Sequence, residues 1–125
     1  MGVSSRIRSS VSPETLRALN QGEIQEIVSD YRKTVENALE AGFEKIELHA
    51  ANDHLLQQFL AYKTNQGNDQ YAGSIENRAR LLFEVLDVLT EVWPAERIGV
   101  RLASGSYRPL PAVGCYIWIV RVRPN

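Results

Sequence analysis

His49 and Arg101 are the two side chains whose positions in the sequence best suit chemistry on a small ligand. Each belongs to a short run in which apolar and polar residues alternate, the pattern of a half-buried β-strand. The apolar residues of each run share one face: Ile46 and Leu48 in the first run, and Ile98, Val100 and Leu102 in the second. If the strands are parallel neighbours, we expect His49 and Arg101 together on the opposite, ligand-facing side, near the carboxyl ends. Ligands bind at that end of parallel sheets, where an imidazole and a guanidinium can donate hydrogen bonds to an electron-rich group.

Each candidate residue also has a purely structural interpretation, which the spacing leaves open. His49 can be an ordinary histidine at a strand end, and the charge of Arg101 needs a partner on any inward face. Asn52 can be a turn former, and His54 can be an ordinary residue at a helix start. His49 and His54 are five positions apart, not the four that place two ligands on one helical face, so no metal site is predicted.

The elements that must position these residues follow from the apolar periodicity. Apolar residues recur at steps of three and four from Glu23 onward, and Gly42 is the expected stop of that helix. The elements after the first strand are a short helix over 53–62, a polar loop over 63–73, a long helix from the cap Ser74 to Pro94, and a strand over 97–102. This order of helices and strands predicts an α/β protein with parallel strands.

The length and composition are those of one globular domain or a piece of one. The 125 residues are 44% hydrophobic and 23% charged, and 14 basic against 15 acidic residues give a formal net charge of -1. Because no excess of positive charge exists, we expect no nucleic-acid partner and no membrane partner. The start of the chain lacks the apolar stretch of a secretory signal, and the single cysteine, Cys115, suits a reducing compartment. A cytoplasmic location is therefore predicted.

Three segments of the chain carry a recognisable set of motifs. They are KIELHAANDHLLQQFL at 45–60, TNQGNDQYAGSIENRAR at 64–80 and ERIGVRL at 96–102. In this order and spacing they resemble the Old Yellow Enzyme family, the FMN-dependent NADH:flavin oxidoreductases that include N-ethylmaleimide reductases and 12-oxophytodienoate reductases. The resemblance covers about Leu19 to Leu102. It implies a TIM (β/α)8 barrel with FMN at the carboxyl ends of the strands, and NAD(P)H as the reductant.

The resemblance also implies roles for individual residues. His49 and Asn52 match the pair that hydrogen-bonds the carbonyl oxygen of an α,β-unsaturated substrate, so that hydride from the reduced flavin adds at the β carbon. Arg101 matches the arginine that contacts the flavin pyrimidine, and His49 is also expected to touch the cofactor. His54 stands where the family usually has its tyrosine proton donor. An imidazole can donate a proton, although its reach differs from that of a phenol.

The chain departs from the family pattern in sequence and in length. Asp53, Gly67 and Ala72 replace a glycine, an arginine and a glycine of the pattern. A full barrel needs eight strands, whereas this sequence has about two parallel strands, so we expect a partial barrel that is not closed. The residues after Ala103 do not resemble the family's continuation. We interpret the chain as a truncated member in which residues 1–22 form an arm or loop, 23–103 a central barrel fragment and 104–125 an atypical tail with a sequence compatible with an out-of-frame reading.

Two functional hypotheses follow from the sequence. In the first, the chain derives from an FMN-dependent ene-reductase, and the chain alone has negligible activity. In the second, it is an inactive remnant or a small α/β interaction module without flavin. The oligomeric state is left open. We also expect the apolar run from Val113 to Val122 to be a poorly placed strand or a disordered segment, so that removal of the tail would raise solubility.

Overall fold

The computed structural model of the chain describes residues 17–104 and 116–121. Its elements, in chain order, are helix α1 (Gln21–Glu40), strand β1 (Ile46–Ala50), helix α2 (Leu55–Leu60), helix α3 (Ile75–Val92), a 3-10 turn (Ala95–Arg97), strand β2 (Ile98–Ser104) and strand β3 (Tyr116–Arg121). Residues 1–16 of the predicted arm and residues 105–115 and 122–125 of the predicted tail lie outside the described residues. Within the described ranges, no helix is both long enough and apolar enough to cross a membrane.

Helix α1 begins two residues earlier than the sequence predicts, because Asn20 caps it. The Asn20 side chain accepts a hydrogen bond from the Glu23 N–H at 2.9 Å, and the Glu23 carboxylate accepts one from the Asn20 N–H at 2.9 Å. This reciprocal pair is a capping box, which satisfies backbone donors that the first turn leaves free. Arg17 forms an ion pair with Glu23 and, with the backbone hydrogen bond, lowers the pKa of that carboxyl to about 2. At the other end Gly42 has φ 85°, which confirms the predicted stop.

Helix α2 is shorter than the predicted helix over 53–62, because the turn before it is left-handed. Asn52 and Asp53 have φ values of 53° and 58°, and neither can belong to a right-handed helix in that conformation. The helix therefore starts at Leu55, with His54 as its N-cap. The backbone N–H of Asp53 donates to Gln57 Oε1 at 2.7 Å, and its carbonyl accepts from Gln58 Nε2 at 2.6 Å. Two glutamines of α2 thus hold the turn that links β1 to the helix.

The core lies between the helices and the sheet. The predicted apolar faces of the two strands are confirmed, since Leu48, Ile98 and Val100 are buried and Ile46 and Leu102 pack against the core. The indole N–H of Trp93 donates to the Val35 carbonyl at 2.9 Å and links the end of α3 to α1. Two apolar residues of the helices are exposed: Leu39 at 46% and Ile75 at 64%. Both lie in the terminal turns of their helices.

The polar loop between α2 and α3 is held by a buried side chain. Asn65 is 4% exposed, and its Nδ2 donates to the carbonyls of Phe59 at 2.8 Å and Tyr71 at 2.7 Å. The Tyr71 hydroxyl donates to the Glu84 carboxylate at 3.0 Å and accepts from Gln25 Nε2 at 2.9 Å. These bonds connect the loop to α1 and α3, so the loop is a packed part of the domain rather than an exposed excursion.

The sheet has the order β1-β2-β3. Strands β1 and β2 are parallel, with Ile46 opposite Ile98 and Ala50 opposite Leu102, which confirms the predicted α/β unit. Strand β3 pairs with β2 in the antiparallel sense over six residue pairs, from Gly99 opposite Arg121 to Ser104 opposite Tyr116. The interpretation of the tail's apolar run as a poorly placed strand is therefore revised. Its middle part extends the sheet, because the edge of β2 offers unpaired backbone groups that an extended segment can satisfy.

Candidate active site at the carboxyl ends of the strands

The parallel register brings His49 and Arg101 into direct opposition. Their Cα atoms are partners across β1 and β2. Their side chains lie on the face of the sheet opposite to the buried Leu48 and Val100. Side chains of directly opposite residues point to the same face, since successive residues of a strand alternate between faces. Both side chains are partly exposed. The sheet thus presents an imidazole next to a guanidinium near its carboxyl end.

Glu47 completes this polar face by forming an ion pair with Arg101. Its Oε1 lies 2.6 Å from a terminal nitrogen of the guanidinium, and both side chains are about one-third exposed, at 33% and 36%. The pair fixes the direction of the arginine across the sheet. The Nε atom of Arg101 is buried and has no hydrogen-bond partner among the described residues. A buried donor without a partner is costly, so this nitrogen is suited to an acceptor atom on a ligand.

The hydrogen bonding of His49 determines which ring nitrogen can serve as a donor. The backbone N–H of Ala51 donates to His49 Nδ1 at 3.2 Å. A neutral imidazole has one acceptor nitrogen and one N–H, so the proton of His49 must be on Nε2. The pKa of His49 is lowered by partial burial, by His54 and by Arg101, with Glu47 opposing. The neutral ring is therefore favoured, and it presents its Nε2–H as a hydrogen-bond donor.

The left-handed turn after β1 places His54 against His49. Their ring centroids are 4.2 Å apart with an interplanar angle of 41°. Without the reversal at Asn52 and Asp53, the chain would run on past the end of β1, and the two rings would not meet. Asn52 itself is exposed in the turn, three residues after His49. Within the described ranges, no group of three or more His, Cys, Asp or Glu side chains could hold a metal ion.

The structure brings together three of the four predicted site residues. His49, Arg101 and His54 form one cluster, while Asn52 lies in the adjoining turn with a backbone conformation typical of a turn former. Glu47 is a residue of this face to which the sequence analysis gave no role. A signal was available, because a carboxylate two residues before His49 shares its face and reaches a cation on the neighbouring strand.

Comparison with known proteins gives these residues a context. The chain is 42% identical over 87 residues to 12-oxophytodienoate reductase 1 of Oryza sativa subsp. japonica, covering 70% of this chain and 23% of the relative. A structure of morphinone reductase in complex with tetrahydroNAD is 54% identical with a TM-score of 0.69, over 71% of this chain and 24% of that one. An Old Yellow Enzyme from Pichia sp. AKU4542 is 42% identical with a TM-score of 0.68, over 70% and 23%.

The three matches cover about the same share of this chain, 70% to 71%. The chain spans about a quarter of the length of each of these three relatives. Its two parallel strands and their helices correspond to part of an Old Yellow Enzyme barrel, as expected from the motifs, and they do not close a barrel. The sequence profile of one family matches residues 2–109, most of the chain. The chain therefore belongs to the NADH:flavin oxidoreductase / NADH oxidase family.

Proposed function

We propose that this chain carries the substrate-activating part of an FMN-dependent NAD(P)H oxidoreductase that reduces alkenes conjugated to a carbonyl group. The observation that carries the proposal is the hydrogen bond from the Ala51 N–H to His49 Nδ1, which leaves the other ring nitrogen, Nε2, as the donor of the neutral imidazole, without a partner among the described residues and beside a guanidinium on the adjacent strand. A hydrogen bond from this N–H to a carbonyl oxygen withdraws electron density from the conjugated double bond. The β carbon then becomes more electrophilic, which is the requirement for hydride addition. Asn52, in the turn that follows β1, is proposed as a second donor to that carbonyl oxygen.

Arg101 and His49 are the residues here that would hold FMN. The pyrimidine ring of a flavin has several acceptor atoms, and the unpartnered Nε of Arg101 fits such an acceptor. The guanidinium charge also favours negative charge on that ring. When bound, FMN supplies the hydride that it has received from a reduced nicotinamide. A nicotinamide reductant is supported by the similarity to morphinone reductase, which was solved with tetrahydroNAD.

His54 is proposed as the proton donor to the α carbon. It occupies the position of the family's usual tyrosine, and its ring centroid lies 4.2 Å from that of His49, with the two rings tilted at 41°. An imidazole is the side chain that most often serves as a general acid in enzymes. It is shorter than a tyrosine, however, so its proton is delivered from a position nearer to the strand end.

The proposal is best tested in a chimera, because most of a barrel lies outside this chain. Residues 17–104 replace the matching quarter of morphinone reductase, and FMN absorbance and reduction of an α,β-unsaturated ketone are measured. We expect a yellow chimera with measurable turnover, in which His49→Ala reduces kcat/KM by about 100-fold. Arg97→Lys, outside the cluster, is the matched control and should leave turnover unchanged. A chimera that loads FMN but shows no dependence on His49 would contradict the proposed role.

A second candidate is a chain that acts without flavin, as an inactive remnant or an interaction module. The observation that favours it is the chain's departure from the family pattern, with His54 at the position of the usual tyrosine proton donor and Asp53 in place of a glycine. Gel filtration of the 125-residue chain after incubation with FMN distinguishes this hypothesis from the flavin-dependent one. Flavin absorbance that co-elutes in a one-to-one ratio and alkene reduction by the chain alone would exclude the second candidate.

A further inference from the structure

The N-cap residue of α2 does not use its side chain as a cap. An N-cap side chain usually accepts a hydrogen bond from a free backbone N–H of the first turn. The imidazole of His54, the N-cap of α2, makes no such bond within the described part of the chain. The backbone of His54 holds the turn instead, since its N–H donates to the Ala51 carbonyl at 3.1 Å and its carbonyl accepts from the Gln58 N–H at 3.0 Å. The ring is therefore available to the site, where its centroid lies 4.2 Å from that of His49.

Two glutamines provide the anchoring that the N-cap side chain does not. The Asp53 N–H donates to Gln57 Oε1 at 2.7 Å, and the Asp53 carbonyl accepts from Gln58 Nε2 at 2.6 Å. These two groups belong to the peptide planes on either side of the Asp53 Cα, so both backbone dihedral angles of this residue are fixed. Gln57 is the third residue of α2, the position from which a Glu or Gln side chain reaches back in a capping box. Here it reaches one residue further, to the residue before the N-cap.

The backbone of this turn needs such support. Asn52 and Asp53 are consecutive residues with φ values of 53° and 58°, and in this conformation the Cβ atom crowds the following carbonyl oxygen. Without anchors, either residue would relax toward the extended or right-handed conformations that L-residues prefer. Because His54 follows directly, that relaxation would carry its ring away from the end of β1. The contact between the two imidazoles therefore depends on the two glutamines.

The amide of Gln58 adds little to the stability of the fold. The residue is 5% exposed, and its Oε1 has no hydrogen-bond partner among the described residues. A buried acceptor without a partner destabilises the fold, which opposes the gain from the bond that Nε2 makes. An apolar side chain of the same length would avoid that cost. The amide is therefore explained by the turn that it holds rather than by a contribution to folding.

We propose that Gln57 and Gln58 are positioning residues of the candidate active site. By holding the backbone of Asp53 from both sides, they keep the imidazole of His54 against His49 before any ligand binds. The two proposed functional histidines are then in place without a rearrangement on binding. This inference rests on the proposed function for its catalytic meaning, but the contacts themselves need neither flavin nor substrate. A test on these contacts can therefore fail while the proposed function stands, and the reverse also holds.

NMR spectroscopy of the full chain measures the contact directly. The ring protons of His49 and His54 should show a nuclear Overhauser effect, because the ring centroids are 4.2 Å apart. In Gln58→Met, which keeps the length of the side chain but removes its amide, we expect this effect to be lost while the urea midpoint of unfolding changes little. Gln57→Met should also lose the effect. Gln57→Glu keeps an acceptor for the Asp53 N–H and should retain it.

The titration of His49 gives a second readout, since the nearby His54 is one of the influences that lower its pKa. Both methionine variants should shift the His49 midpoint upward, toward the value in His54→Gln. In the His54→Gln background the same two substitutions should cause no further shift, because the partner ring is already absent. A loss of stability alone would not produce this dependence on His54.

Gln66→Met is the matched control. Gln66 Nε2 donates to the Tyr62 carbonyl at 2.7 Å, so the variant removes the same kind of bond in a loop away from the site. Both readouts should remain unchanged in this variant. A ring contact that survives both Gln57→Met and Gln58→Met overturns the proposal. A contact that is lost only when the chain itself unfolds, or that Gln66→Met abolishes equally, overturns it as well.

Discussion

At the scale of single residues, the site depends on the protonation of His49. Partial burial is the largest influence that lowers its pKa below 6.5, followed by the nearby His54 and Arg101. A histidine whose pKa is lower in the folded state than in the unfolded state binds protons preferentially when unfolded. Its contribution to the free energy of unfolding is therefore present above pH 6.5 and is lost as the pH falls through 6.5 toward the folded pKa.

This predicts a titration that NMR can follow through the ring protons of His49. We expect its midpoint below 6.5, and we expect His54→Gln to shift that midpoint upward because one lowering influence is removed. The urea concentration at which half of the chain is unfolded should decrease as the pH is lowered from 7 to 5. His49→Gln should make this concentration less dependent on pH. A midpoint of His49 above 6.5 would contradict the environment described here.

Asp53 gives a second prediction at this scale. Its φ of 58° is costly for a residue with a Cβ, and the family pattern has glycine at this position. The hydrogen bonds of the turn use only the Asp53 backbone, so glycine keeps them. Asp53→Gly should therefore raise the free energy of unfolding by about 1 kcal/mol in urea denaturation. Glu36→Gly, in the interior of α1, is the opposite control and should lower it by about 1 kcal/mol.

At this scale the face of each strand residue could be predicted from the sequence, whereas the left-handed turn could not. The shared face of His49 and Arg101 follows from strand alternation, which is a local and regular property. The left-handed turn does not follow, because Asn and Asp adopt that conformation only when surrounding contacts favour it. Those contacts come from Gln57 and Gln58, whose part in the turn is evident only when α2 is in place.

At the scale of elements, the loop between α2 and α3 depends on Asn65. Its amide nitrogen satisfies two buried carbonyls at once, those of Phe59 and Tyr71. In Asn65→Asp the nitrogen becomes an oxygen of the same size, which faces both carbonyls without a proton to share. We expect a loss of about 3 kcal/mol in the free energy of unfolding, from two unsatisfied acceptors and a buried charge.

The matched control is Asn68→Asp, the same change at an exposed position three residues later. It should alter the midpoint of thermal unfolding very little. If both variants unfold at the same temperature, the loop is not anchored by Asn65. The sequence predicted this segment as a polar loop, and periodicity cannot distinguish an exposed loop from one held by a buried amide. The long helices, by contrast, were predictable because their apolar faces repeat over several turns.

At the scale of the whole molecule, the tail adds a third strand to the sheet. Strand β3 covers the edge of β2 that would otherwise be open, and it runs antiparallel where a barrel requires a parallel strand. Local alternation predicted an extended segment here but could not predict its partner or direction, since these depend on which edge is free. The core contains side chains from all three helices and from β1 and β2, so the helical layer has its own packing.

A chain ending at Ser104 should therefore keep its far-UV helical signal, while its soluble yield falls because β2 becomes an open edge. This reverses the increase in solubility expected from composition alone. A chain ending at Arg121 retains β3 and is the matched control, with an expected yield equal to that of the full chain. Higher yield for the shorter chain would mean that β3 does not protect the sheet.

The indole proton of Trp93, which is hydrogen-bonded to Val35, can report on the opening of the whole helical layer. The indole is 1% exposed, and its N–H is directed at a carbonyl within α1. Solvent deuterons can replace that proton only after α1 and α3 separate. Its exchange rate in heavy water therefore measures the frequency of that separation, and a ligand that binds at the strand ends and stabilises the fold should slow the exchange in proportion to its occupancy.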